Sequence, residues 1–240
     1  MERPDTLDLS FVAANNTPIS WENMSEDKVL TLLNTPCNII ISSPSQGGKS
    51  TFVYRLLKHD MFRETPEKIL YCYNSTWQSM FSTLESEMDN VSFHYGMPGK
   101  DDLEAFQTIS KGHSLIVFDD LMIDAMNTDA ILKLFTIGTH HNNCSVILLT
   151  HNLFLKSKHS RTLNLNTHVF VIMANNRDKS QITTLGRQLG YRQMLQAYLT
   201  ATTEPYSYMV IDLHTKTDKN LRLRSAIFPD EGPTAVYKVE

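Results

Sequence analysis

Short apolar runs recur along the chain at 38–42, 69–73, 91–95, 115–118, 146–149 and 169–173. Each has strand length, and β-branched and aromatic residues dominate them. Between them, apolar residues spaced three and four apart predict helices over 49–59, 76–85, 101–110, 128–139 and 178–188. Near-continuous apolar strands alternating with helices predict a parallel sheet covered on both faces. Ligands in such sheets bind beyond the carboxyl ends of the strands. The last third changes pattern. Tyr206–Leu213 alternates apolar and polar positions, Thr215–Asn220 is a polar turn, and Leu221–Ala226 returns as a hairpin partner.

The ends are less apolar. Residues 1–36 read as an extended lead-in, with Phe11 and Trp21 as anchors and a short helix from its N-cap Ser25 to about Leu33. The expected organisation is a lead-in over 1–36, one α/β domain over 37–228, and a loosely ordered tail over 229–240. A length of 240 residues suits one sizeable domain.

Composition narrows the class. The hydrophobic fraction of 41% and charged fraction of 20% are those of an ordinary globular chain. Cys37, Cys72 and Cys144 lie far apart, which argues for a reducing compartment and against a disulfide framework or zinc site. The acidic start MERPDTLDLS has no apolar signal core, and no apolar run approaches membrane-spanning length. These features predict a soluble, intracellular protein with no membrane partner. Net charge is −4, yet residues 155–192 carry seven cations (Lys156, Lys158, Arg161, Arg177, Lys179, Arg187 and Arg192) against one acid, Asp178. That local excess suits phosphate neutralisation or, equally, a solvated basic face.

The chemistry gathers at Asn38 to Leu57, NIIISSPSQGGKSTFVYRLL. Here an apolar strand meets a polar turn and then an amphipathic helix. Gly47-Gly48-Lys49-Ser50 is the second half of the phosphate-binding pattern G-x-x-x-x-G-K-[ST]. Glycines let backbone N–H groups of Ser45, Gln46, Gly47 and Gly48 crowd round phosphate oxygens, and the helix start points its positive dipole end at them. Lys49 is expected to reach the β- and γ-phosphates, Ser50 to bind Mg²⁺, and Thr51 to donate to a nearer phosphate. The first glycine of the pattern is replaced by Ser43, a poorer fit if the turn needs a positive φ.

Seventy residues after Lys49, the strand Leu115-Ile116-Val117-Phe118 ends in Asp119-Asp120. Asp119 suits the metal role and Asp120 the base that orients or deprotonates a water. Glutamate is more usual at the second place, and aspartate has the shorter reach. A third strand, 144–149, ends in Thr150-His151-Asn152, any of which can sense a γ-phosphate. Arg161 and Arg177 follow as candidate arginine fingers. His140-His141 is no chelate, since neighbours on a helix point about 100° apart. The aromatic residues Tyr71, Tyr73, Phe93, Phe118 and Phe170 read as core.

Together SSPSQGGKST, KILYCYN, SLIVFDDLM, FTIGTHHNNCSVILLTHNLF, RTLNLNTHVFVI and NNRDKSQI resemble the packaging-type ATPases of the FtsK/HerA superfamily, over about residues 37–228. The likeness is to those of polinton-like and adintovirus-like elements and related double-stranded DNA viruses. The resemblance implies a RecA-like ASCE core, ATP and Mg²⁺ as cofactors, a homo-oligomeric ring, and double-stranded DNA driven into a capsid. It also implies catalytic roles for Lys49, Asp120, His151 (where relatives usually carry Gln), Arg161 and Arg177, with Ser50 and Asp119 on the metal. Capsid proteins become candidate partners, and the host nucleus, a viral factory or the virion candidate locations. Two other functions fit a P-loop chain: a small-molecule kinase, for which the cations of 155–192 would form a lid, and a non-catalytic nucleotide-gated switch.

Overall fold

The computed structural model describes residues 31–108, 112–121, 128–139, 142–154 and 159–238. The expected anchors Phe11 and Trp21, most of the helix expected from Ser25, the His140-His141 pair, and Lys156 and Lys158 lie outside them.

One nine-stranded sheet forms the centre, in the order β3-β2-β4-β5-β1-β6-β7-β8-β9. Its strands are β1 (Asn38–Ser42), β2 (Lys68–Tyr73), β3 (Val91–Tyr95), β4 (Ser114–Asp119), β5 (Cys144–Thr150), β6 (Val169–Met173), β7 (Tyr208–Asp212), β8 (Leu223–Ser225) and β9 (Ala235–Val236). Every pair from β3 to β6 is parallel, and β7, β8 and β9 are added antiparallel. Among the described residues the α-helices are α1 (Lys49–Lys58), α2 (Ser79–Glu87), α3 (Lys100–Thr108), α4 (Asp129–Lys133), α5 (Ser160–Leu165), α6 (Ser180–Leu189) and α7 (Met194–Ala201).

Strand alternation divides the core in two. Ile39, Ile41, Val117, Ile147 and Val171 face α1 and α2, while Ile40, Ile116, Phe118, Leu148 and Phe170 face α3 to α7. Both faces are therefore apolar, which is why the central strands read as unbroken hydrophobic runs. On α1 the inward positions Phe52, Val53, Leu56 and Leu57 are all buried, each worth about 1.5–3 kcal/mol on transfer from water.

The expected α/β architecture with a C-terminal hairpin is present. The six expected strands form within two residues of their expected bounds, and the β7–β8 hairpin pairs Val210 with Arg224. Three local expectations differ. The helix expected over 128–139 is α-helical only to Lys133, then widens into a π-turn, Leu134–Gly138. That turn places the Phe135 carbonyl 2.8 Å from the buried Asn38 amide, which also bonds Asn166 O, while Thr139 donates to Asn38 Oδ1. Helices α5 and α7 are additional. Between β1 and β4 lies β5, the strand that ends at Thr150, while β2 lies on the far side of β4.

The tail expected to be loose is packed. Arg55 of α1 donates to Asp230 and Glu231, and its guanidinium lies 4.1 Å over the Phe228 ring. Phe228 meets Phe52 and Tyr208 edge-on, and Val236 and Tyr237 are buried. Pro229-Asp230-Glu231-Gly232 looks like a linker in sequence because its partners lie far away along the chain.

Candidate active site at the carboxyl edge of the sheet

The ends of β1, β4 and β5 converge on a cavity of about 800 Å³. Its wall includes Ser45 to Phe52, Arg55, Gln78, Asp119, Asp120, His151, Met173, Tyr206 and Tyr208. All seven of the expected phosphate-loop residues (Ser45, Gln46, Gly47, Gly48, Lys49, Ser50 and Thr51) are in this set.

The loop leaves β1 through Ser43, whose N–H donates to Thr150 O at the end of β5. Ser43 is absent from the residues with positive φ, so the turn does not demand glycine there. The left-handed positions are Gln46 (φ 61) and Gly48 (φ 93), the latter capping α1. The Ser43 hydroxyl instead makes its demand on Gly47. A Cβ at Gly47 would sit 1.8 Å from Ser43 Oγ. The extra bulk at position 43 is thus accommodated by the missing side chain at 47.

Lys49 is 7% exposed, and its ammonium donates to Ser43 O at 3.2 Å and Pro44 O at 3.4 Å. Burial pulls its pKa below the ordinary lysine value, against the opposing pull of Asp120 and Asp119. The ammonium, largely desolvated, is thus held by two backbone carbonyls of its own loop on the cavity wall. At the next residue, Ser50 Oγ donates to Asp119 Oδ2 at 2.7 Å.

Asp119 is 2% exposed, and burial raises its pKa, while bonds from Ser50 and Tyr71 oppose that rise. Tyr71 OH donates to the same oxygen at 2.9 Å. Sheet register explains this: β2 pairs Tyr73 with Asp119, so Tyr71 lies two residues back on the face Asp119 points from. Tyr71 packs on Phe81 and Phe93 as core, as expected, but its hydroxyl also belongs to the site. Only the strand order could have revealed that.

The donors fit Mg²⁺. A hydroxyl and a carboxylate oxygen, 2.7 Å apart on the cavity wall, are hard ligands of the kind that hold it beside substrate phosphates. Among the described residues no cluster of three His, Cys, Asp or Glu competes as a metal site.

Asp120 turns out of the strand with φ 55, a left-handed conformation that aspartate tolerates better than most residues. Its carboxylate lies 3.8 Å from His151 Nε2, whose Nδ1 is 3.3 Å from Lys49 Nζ. His151 thereby spans the gap between the loop lysine and the second carboxylate. Thr150 and Asn152 do not line the cavity; the Thr150 hydroxyl donates to Asn152 O.

Arg161, at the start of α5, and Arg177, in the loop after β6, are exposed and outside the cavity. Sequence reading missed the part of the wall on the β6–β7 side of β1, away from β4, made by Met173, Tyr206 and Tyr208 with Arg55 of α1, and also Gln78. Tyr206 and Tyr208 carry no phosphate-binding pattern; the strand expected from Tyr206 begins only at Tyr208, and Tyr206 lies in the turn before it.

No family model matches the chain, and no curated protein matches it in sequence. Solved structures do share its fold. The genome packaging NTPase B204 from Sulfolobus turreted icosahedral virus 2 in complex with AMPPCP aligns at a TM-score of 0.53 and 12% identity, over 84% of this chain and 97% of that one. Its complex with ATP-gammaS gives 0.51 and 13% over the same shares. The DNA-packaging ATPase B204 from Sulfolobus Turreted Icosahedral Virus gives 0.50 and 12%, again over 84% and 97%. At such identities the finding is one of fold: an α/β P-loop fold extended by an antiparallel hairpin.

Proposed function

We propose that the chain is a Mg²⁺-dependent ATPase of the FtsK/HerA type that couples hydrolysis to movement of double-stranded DNA into a capsid, working as a homo-oligomeric ring. The observation that carries the hydrolase part is one junction: Ser50 of the phosphate loop bonded to Asp119, with Asp120 and His151 beside Lys49. Loop N–H groups and Lys49 bind the β- and γ-phosphates, and Thr51 a nearer one. Mg²⁺ held by Ser50 and Asp119 would supply positive charge to those phosphates. Asp120 accepts the proton of a water as its oxygen attacks the γ-phosphorus and ADP leaves. His151 links that carboxylate to the lysine and senses the γ-phosphate. Arg161 or Arg177, exposed and outside its own cavity, serves a neighbouring subunit's site.

The DNA load rests on the sequence resemblance, supported by the shared fold and the cations of 155–192. Arg161, Arg177, Lys179, Arg187 and Arg192 are all exposed. Capsid proteins as partners, and a soluble, intracellular life in the host nucleus, viral factory or virion, belong to the same reading. No described helix is long and apolar enough to cross a membrane. A kinase lid gains no support, because none of these five cations lines the cavity.

The test is ATP turnover by wild type, Lys49→Ala and Asp120→Asn, with and without double-stranded DNA, beside native mass. Both variants should lose at least about a hundredfold in turnover, DNA should stimulate the wild type, and a ring-sized mass should appear. Unchanged turnover in Asp120→Asn would favour the switch, and a phosphorylated acceptor from a nucleoside panel the kinase. A monomer whose hydrolysis ignores DNA would sink the motor.

A further inference from the structure

Tyr206 is an anomaly in two respects. It is 69% exposed although its neighbour Tyr208 is buried, and its backbone is left-handed at φ 63. A bulky residue rarely adopts that conformation, and such strain marks places where something else over-determines the geometry. Here the turn is tied down on both sides: Ser207 N donates to Glu204 O, and Ala174 N at the end of β6 donates to Ser207 O. The result places the Tyr206 ring on the cavity wall beside the phosphate loop. A Cβ built on Gly48 would touch Tyr206 Cδ1 and Met173 Cε, each at 3.4 Å. The ring and the thioether thus close over the glycine at which α1 begins.

The cavity has a direction. Asp119, Asp120 and His151 follow from β4 and β5 on one side of β1, with Gln78 after β2 beyond them, and on the phosphate-site reading this is the γ-phosphate end. Tyr206 and Tyr208, at the start of β7, lie on the other side with Phe52 and Arg55 of α1. A nucleotide whose phosphates sit on the loop must lay its nucleoside along the second flank. The polar groups there are already engaged. Arg55 is held by Asp230 and Glu231, and Tyr208 OH donates to Glu231 while accepting from Ile227 N. What that flank offers is a ring face.

We propose that Tyr206 is the nucleobase platform: the base of a bound nucleoside triphosphate stacks on its ring and is held by its face, not read by its edge. This rests on the phosphate-site reading above. Base–aromatic stacking is tolerant of base identity because every base has a π-face, and truncating the aromatic weakens binding on the order of tenfold. ATP and GTP therefore bind within about threefold of one another.

Calorimetry with ATP, GTP and inorganic tripolyphosphate on the full chain tests this, using wild type, Tyr206→Gly and Tyr206→Phe. Glycine relieves the left-handed strain while removing the ring, so a loss of affinity cannot be ascribed to a misfolded turn. The expected result is ATP and GTP binding weakened about tenfold in Tyr206→Gly, tripolyphosphate binding unchanged, and ATP affinity recovered in Tyr206→Phe. The proposal is overturned if Tyr206→Gly binds ATP as wild type does, if it loses ATP and tripolyphosphate equally, or if one purine is preferred a hundredfold. Wild type that binds tripolyphosphate as tightly as ATP rejects the platform but leaves the phosphate site standing. Wild type that binds neither rejects both.

Discussion

Ser43 and Gly47 behave as one unit. The serine at the position where the pattern has glycine does not strain the backbone, since its φ is not positive, but its hydroxyl fills the space a Gly47 side chain would need. Gly47→Ala should therefore overpack the loop, lowering unfolding stability by about 1–3 kcal/mol and weakening nucleotide binding. Adding Ser43→Gly removes the nearest clashing atoms, leaving Pro44 O at 3.1 Å, and should recover most of both losses, a coupling that a double-mutant cycle in denaturant reads directly. Additive losses would mean the two positions are independent.

At the scale of elements, buried polar groups pin the strands that carry the site. His113, just before β4, is buried between Glu64 O and Ser145 Oγ, each 2.7 Å from a ring nitrogen. A carbonyl only accepts, so Nδ1 carries the proton and Nε2 accepts from the Ser145 hydroxyl. Burial lowers the His113 pKa below its ordinary value, against the opposing bond to Glu64 O. The histidine is neutral in the fold and gains a proton more readily when unfolded. Its contribution is thus present above the unfolded value of about 6.5 and is lost as pH falls below it. Thermal unfolding should show the wild type losing stability more steeply than His113→Gln between roughly pH 7.5 and 5.5. Parallel slopes would remove His113 from the account. The bridge thus joins the starts of the two strands that end in Asp119 and Thr150.

At the scale of the molecule, charge is the property that sequence placed but could not orient. Of the seven cations of 155–192, read equally as a functional patch or a solvated face, the five within the described residues are exposed, and Arg177 to Arg192 are strung along and beside α6. Arg187→Glu with Arg192→Glu should lower the ratio of DNA-stimulated to basal turnover about tenfold near 100 mM salt, and flatten its salt dependence. An unaltered ratio would make this face merely solvated. The strand-and-helix alternation, the loop Ser43–Ser50 and the carboxylates at Asp119 and Asp120 were legible in the chain, because each depends on neighbours a few residues away: apolar period, turn chemistry, a strand with a polar end. Pairings between distant segments were not. Nothing local says that β5 rather than β2 lies between β1 and β4, that Tyr71 donates to Asp119, that Arg55 binds the Asp230-Glu231 turn, or that Tyr206 stands over Gly48. The turn between β1 and α1 was thus determined by sequence alone, since its glycines and the flanking apolar periods are local signals. The flank that faces it was decided only by the tertiary fold, since it joins residues some 150 positions apart through sheet register and burial.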